Sequence, residues 1–139
     1  MISRIDILKE SAQCRLSELQ SLCLPHDTPI DTTFGSWWIV TEDGRDIGFA
    51  GLTRTVSWLD CGYLCRAGVL PDARGQGLQK KLIKARIRQA KAFGWNWLVT
   101  DTRFNPASAN SLIACGFKMF EPTKPWGCKD TLYWRRKLK

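Results

Sequence analysis

Histidine is almost missing from this chain: His26 is the only one among 139 residues, and it sits in the loop-like run Pro25-His26-Asp27-Thr28-Pro29. A Ser-His-Asp triad would have to use that residue, and no Gly-x-Ser-x-Gly elbow stands beside it. Cysteine is present six times, as Cys14, Cys23, Cys61, Cys65, Cys115 and Cys128, but no Cys-x-x-Cys pair occurs. Zinc ligands would have to be gathered from unrelated places, so no metal is expected. No apolar run approaches the roughly 18 residues that a spanning helix needs. The N-terminal Met-Ile-Ser-Arg-Ile-Asp-Ile-Leu-Lys-Glu carries charges where a signal peptide is apolar. A cytoplasmic protein with free, mostly core-filling thiols and no membrane partner is the expectation. Acidic residues are scarce too. Thirteen Asp and Glu stand against 21 Lys and Arg, for a net charge of +8, with no acidic cluster beyond Glu42-Asp43. That balance favours phosphate, whether on a cofactor, a nucleic acid or a membrane surface.

What is there suits one globular domain spanning residues 1–139. Hydrophobic residues make up 44% of the chain and charged residues 24%, with seven Trp. A chain of this length buries about two-thirds of its unfolded surface, so disulfides are not needed as staples.

Apolar residues at Leu8, Ala12, Leu16, Leu19, Leu22 and Cys23 predict an amphipathic helix over Leu8 to Leu24, stopped by Pro25. Strands are expected over Ser36 to Thr41 and Asp46 to Arg54, joined by the Asp43-Gly44 hairpin turn. A third strand runs from Tyr63 to Leu70. The period then changes: Leu78, Leu82, Ile83, Ile87 and Ala90 lie at helical spacing within Gly75 to Phe93. Lys80, Lys81, Lys84, Arg86, Arg88 and Lys91 fall between them and read as a solvated face. Trp95 to Asp101 is an apolar strand, Pro106 to Cys115 a short helix, and Phe117 to Phe120 and Thr131 to Arg136 two last strands. The crossover from Tyr63 to Asp101 implies a parallel pair within a mixed sheet. The fold class is α/β (α+β), a mixed, mostly antiparallel sheet flanked by helices.

The stretch Val69-Leu70-Pro71-Asp72-Ala73-Arg74-Gly75-Gln76-Gly77-Leu78 lies between a strand and a long helix. Its glycines let the backbone pass close to a ligand, and the free N–H groups of the helix's first turn make an anion site suited to pyrophosphate. Arg74, Lys80 and Lys81 add full positive charge. A Walker A motif is absent, and Gly-x-Gly-x-x-Gly fails because Lys80 stands at its third glycine position. A plain tight turn would use the same glycines. Downstream, Asn105 and Ser108 are capping residue types, so Asn105 to Phe117 also reads simply as a capped helix entering a strand.

Taken together, Arg74-Gly75-Gln76-Gly77-Leu78-Gln79 and the later Asn105, Ser108, Gly116 and Phe117 resemble two motifs of the GNAT superfamily of N-acetyltransferases. The resemblance runs from about Ile39 to Tyr133. It implies an open sheet whose fourth and fifth strands splay apart, with acetyl-CoA entering the gap. Backbone groups of Ala67, Gly68 and Val69 would line the pantetheine. N–H groups from Arg74 through Gly75, Gln76, Gly77, Leu78, Gln79 and Lys80 would hold the pyrophosphate. Asn105 and Ser108 would face the arm near the thiol. Gln79 stands where the family prefers Gly or Ala. Leu112 stands where many members carry a Tyr that protonates the leaving thiolate, although some relatives lack it too.

The implied reaction is direct attack by a primary amine on the acetyl thioester in a ternary complex. An alkylammonium has a pKa near ~10.4 and must first lose a proton. Some relatives carry Glu at the position of Thr100, so Asp101 is the candidate base. The same residue also reads as an exposed Asp at a strand end, and Glu121 and Asp46 are weaker candidates. Ser108, Tyr133 and Cys115 are possible donors to the thiolate, and Ser108 is taken as the catalytic one. The acceptor is not written in the motifs: an acidic protein, an aminoacyl-tRNA or a small amine would fit, and a homodimer is possible. The alternative is a catalytically weak domain that binds nucleic acid or a partner protein through its basic surface.

Overall fold

The structure, a computed structural model, describes residues 1–31, 34–55 and 58–139. Seven strands form one sheet: β1 (Ile2–Ile5), β2 (Ser36–Glu42), β3 (Arg45–Arg54), β4 (Cys61–Val69), β5 (Trp97–Thr102), β6 (Lys118–Met119) and β7 (Leu132–Lys137). Helices α1 (Glu10–Cys23), α2 (Leu78–Ala92) and α3 (Pro106–Ala114) pack on it. The strand order is β1-β2-β3-β4-β5-β7-β6. Every pairing is antiparallel except that of β4 with β5. This is the mixed sheet that the crossover between Tyr63 and Asp101 predicts.

β1 is the element the sequence pattern does not announce. Its burial does not alternate, and four residues are too few to show a period. It is held as an edge strand in register with β2, Ile2 opposite Val40 and Ile5 opposite Trp37, and the N-terminal ammonium donates to the Thr41 carbonyl at 2.5 Å.

The core is the set of side chains both halves of the pattern anticipate, with Leu16, Ile39, Phe49, Leu52, Leu82 and Leu98 almost fully buried. Each contributes about 1.5–3 kcal/mol by leaving water. On α1 the buried stripe is narrower than the spacing suggests. Leu8 and Leu22 are exposed, and Gln20 is buried in their stead. Its amide donates to the Thr28 carbonyl at 2.6 Å and accepts from Arg66 at 3.0 Å, which satisfies the polar group and ties the α1–β2 connection to β4.

β4 alternates its side chains between the two helical layers. Arg66 reaches Gln20 on the α1 side, while Cys65 lies within the field of Arg86 on the α2 side. Arg86 departs from expectation: it belongs to the buried face of α2, not to the solvated lysine face. The pairing of β3 with β4 slips between Ala50 and Leu52, where Cys65 and Arg66 of β4 bulge opposite the single residue Gly51. A Cβ at Gly51 would lie 2.5 Å from the Cys65 sulfur and 2.6 Å from the Trp37 ring, so only glycine fits the close approach.

Candidate functional site

Strands β4 and β5 pair only from Cys61 opposite Trp97 to Tyr63 opposite Val99. Beyond Tyr63 they part. The Leu64 carbonyl takes a side-chain donor in place of a strand: Thr100 Oγ1 donates to it at 2.9 Å. β5 goes on pairing with β7, Thr100 opposite Trp134 through Thr102 opposite Leu132, while β4 goes on pairing with β3 up to Val69. The edge of β4 that faces the gap is therefore unpaired, a row of backbone donors and acceptors available to an extended ligand.

At the outer end of this gap the chain leaves β4 through Leu70, makes a short 3-10 turn over Pro71–Ala73, and enters α2. Gly75 and Gly77 adopt φ of +83° and +74°, in the left-handed region. Gly77 is the N-cap of α2 and offers no side chain to close the helix. The first helical N–H to reach a carbonyl is that of Lys81, 3.2 Å from the Gly77 oxygen. The N–H groups of Leu78, Gln79 and Lys80 ahead of it have no intrahelical partner and carry the positive end of a 15-residue helix.

Two adjoining cavities follow the gap. The outer one, about 490 Å³, is lined by Ala67, Gly68, Val69, Arg74, Gly75, Gly77, Leu78, Gln79, Lys80, Asn105 and Ser108, among others. Apart from Gln76, which is exposed and lines neither cavity, these are the positions the two motifs marked for the cofactor. Lys81 stays outside as well. Arg74 Nε folds back to donate to the Val69 carbonyl at 3.2 Å, which pins the loop to the strand end. The Asn105 side chain accepts from the Ser108 N–H at 3.1 Å as the N-cap of α3. Capping and facing the gap are thus compatible in one residue.

The inner cavity, about 360 Å³, shares Ala67, Gln79, Asn105, Ser108 and Ser111 with the outer one and adds Tyr63, Cys65, Arg86, Asp101 and Leu112. Asp101 is half-buried here, where a plain strand-end reading would leave it in solvent. Its Oδ2 accepts from the Tyr63 hydroxyl at 2.7 Å and from Trp126 Nε1 at 2.7 Å. These two donors fix the carboxylate's orientation. Burial, and then the neighbouring carboxylate, push the Tyr63 phenol well above its ordinary range, so it remains a neutral donor.

The other acid–base candidates fall away from the gap. Asp46 is bound bidentately by Arg15, at 2.8 Å on each oxygen, and that guanidinium holds its carboxyl below the usual range. Glu121 is exposed and lines neither cavity. The Tyr133 hydroxyl accepts from the Gly127 N–H at 2.9 Å and lines neither cavity, and Cys115 points its sulfur at the Lys80 carbonyl, 3.9 Å away. Ser108 is left as the candidate hydroxyl beside the gap. Among the described residues no cluster of three metal-ligating side chains occurs.

Tyr63 and Trp126 also line a third cavity, about 820 Å³, with Phe34, Trp58, Arg54 and Lys124. Trp126 is edge-on to Trp58 at 5.9 Å and to Tyr133 at 4.7 Å between ring centroids. Sequence reasoning gave Tyr63 and Arg86 no place in the site and left Trp126 open between an acceptor wall and a dimer contact. Nothing in a local motif marks them, because they meet only when β4, α2 and the β6–β7 connection come together.

A sequence model of the acetyltransferase (GNAT) family matches residues 5–117. The fold matches that of IAA acetyltransferase from Bacillus cereus at 21% identity and a TM-score of 0.77, over 99% of each chain. It matches the Salmonella typhimurium protein yncA, solved with its cofactor acetyl-CoA, at 19% identity and a TM-score of 0.81, over 100% of this chain and 94% of that one. The Escherichia coli ribosomal-protein-S18-alanine N-acetyltransferase is similar at 18% identity and a TM-score of 0.74, over 99% and 94%. No curated protein sequence matches significantly.

Proposed function

The chain belongs to the GNAT acetyltransferase family, and on that premise we propose that it moves the acetyl group of acetyl-CoA onto a primary amine by direct attack in a ternary complex. One observation carries this reading: the gap along the unpaired edge of β4 leads to the uncapped N-terminus of α2. An extended arm can pair with the strand while its pyrophosphate meets the helix N–H groups, which is the shape of CoA.

In this reading Ala67, Gly68 and Val69 pair with the pantetheine. Arg74 to Lys80 hold the phosphates. Asn105 and Ser108 bracket the thioester. Asp101 takes the proton of the attacking ammonium, directly or through water, and Tyr63 and Trp126 position it. The amine nitrogen then attacks the carbonyl carbon, and the C–S bond breaks.

The aromatic cavity beside Asp101 supplies the acceptor. Its charged lining residues are Arg54 and Lys124, both cationic, which disfavours a polyamine or aminoglycoside. An amine on an apolar or aromatic body, a protein or peptide amine included, fits better. The test is calorimetry with acetyl-CoA followed by a thiol-release assay over a panel of amines. Saturating cofactor at 100 times its dissociation constant stabilises the fold by about 2.7 kcal/mol, a rise in melting temperature that is easily read. No rise at millimolar acetyl-CoA overturns the proposal.

A further inference from the structure

α2 carries a charged residue in its buried stripe. Arg86 is 3% exposed and lies between Ala85 and Ile87, both buried. A cation taken out of water is costly unless an anion meets it. No carboxylate does: the ion pairs among the described residues are Arg15 with Asp46 and Arg45 with Asp72. Arg86 is held by two carbonyls. Nε donates to Leu82 one turn back, and Nη1 donates to Gly51 opposite the β4 bulge, each at 3.2 Å. Burial pulls the guanidinium down to about 10, so it is still charged at neutral pH.

The third nitrogen, Nη2, donates to nothing among the described residues, yet no fully covered side-chain nitrogen or oxygen lacks a partner. Nη2 therefore keeps open surface, and the cavity that Arg86 lines is the inner one. Leu112 lines that cavity too and brings no hydroxyl to it, at the position where the family resemblance implies a tyrosine. Two sulfurs already lie in the field of Arg86, Cys65 from β4 and Cys115 at the end of α3. Arg86 draws the Cys65 thiol down while burial pushes it up.

Building on the acetyl transfer proposed above, we propose that Arg86 stabilises the departing thiolate of CoA, the task that Leu112 cannot perform. The amine's electron pair forms the C–N bond, the C–S pair leaves on sulfur, and the amine proton goes to Asp101 or to water. Solvent protonates the thiolate after release. An ordinary thiol has a pKa near ~8.5, so its anion needs modest help near neutral pH. A fixed cation lining the cavity supplies that help without a proton. The titratable groups facing Arg86 are Cys65 and Cys115. Tyr63, Asp27 and Asp101 line the same cavity, as do the cations Arg66 and Arg103.

The experiment titrates the thiol of bound CoA by its ultraviolet thiolate absorbance, against a desulfo-CoA complex as blank. It uses the unaltered protein, Arg86→Gln and Arg86→Lys. Gln keeps a donor for the Gly51 carbonyl but no charge, and Lys keeps the charge. The expected result is a bound thiol about one unit more acidic than free CoA in the unaltered protein, normal again in Arg86→Gln and partly restored in Arg86→Lys. Transfer in Arg86→Gln falls about 100-fold and depends more steeply on the pKa of the leaving thiol. An unshifted thiol in the unaltered protein, which needs no variant to fold, overturns the assignment and leaves acetyl transfer standing. So does an acidic thiol that persists in Arg86→Gln, since the guanidinium then only ties the bulge. Failure of CoA to bind at all overturns both readings.

Discussion

At the outer end of the groove the offered contacts are backbone N–H groups from one stretch, Gly75 to Lys80, and at the inner end they are side chains from β4, β5, α2 and α3. The difference is one of chemistry. Phosphate binding is the same task for any acceptor and needs only donors and positive potential, which a helix N-terminus supplies from few residue types. Proton removal and thiolate release need particular groups in particular places, and the residues proposed for them are far apart in sequence: Tyr63, Arg86, Asp101 and Trp126. In the proposed reaction, Leu112 and the buried Arg86, which line the same cavity, are one way of meeting that need.

If that contrast is sound, the largest loss comes from the inner end. Asp101→Asn should lower turnover by about 10²- to 10⁴-fold with acetyl-CoA affinity nearly unchanged, as measured by steady-state rates and calorimetry. Full turnover at every pH would place the base elsewhere. The outer end should break differently. Gly77 has open space around its Cβ position, so a substitution there is penalised by φ alone. Gly77→Val should weaken acetyl-CoA binding about tenfold, from a left-handed strain of about 1–3 kcal/mol, while Gly77→Asn, which tolerates that region, should cost far less. Equal affinities for the Val and Asn variants would show that backbone conformation is not what the loop contributes. A smaller effect is expected at Trp126. Trp126→Phe removes the donor to Asp101 and trims the acceptor wall, so the acceptor KM should rise several-fold while the affinity for acetyl-CoA holds.

The same contrast decides what was legible beforehand. The glycine turn that opens α2 could be read because its glycines and the helix they open are contiguous, and the order of strands and helices followed from changes of hydrophobic period. β1 could not, because four residues with no alternation carry no period. Arg86 was misplaced for a subtler reason. Helical spacing puts it beside the apolar stripe of Leu82, Ile83, Ile87 and Ala90, and charge alone assigned it to solvent. Only the Gly51 carbonyl, opposite the bulge of β4 and facing α2, shows why a guanidinium is tolerated there. Asp101 was singled out by a neighbouring position and not by its partners, since Tyr63 and Trp126 come from strand and loop segments with no shared motif.

The smallest effect is expected where a carboxylate is paired but plays no part in the groove. Asp46 and Arg15 join β3 to α1 through two 2.8 Å bonds, with side chains 25% and 44% exposed. Partly exposed pairs of this kind are worth about 0.2–1 kcal/mol, and the bidentate geometry favours the upper half of that range. The folded-state pKa of Asp46 lies below its unfolded value, so the pair's contribution is present above about pH 4, the unfolded pKa, and is lost as pH falls through the folded one. A double-mutant cycle of Asp46→Ala and Arg15→Ala, followed by urea unfolding, should give a coupling of that size at pH 7 and a smaller one at pH 3. Acetyl transfer by Asp46→Ala should be unchanged. A collapse of turnover with stability intact would move the base from β5 to β3, and the contrast between the two ends of the groove would have to be drawn again around Asp46.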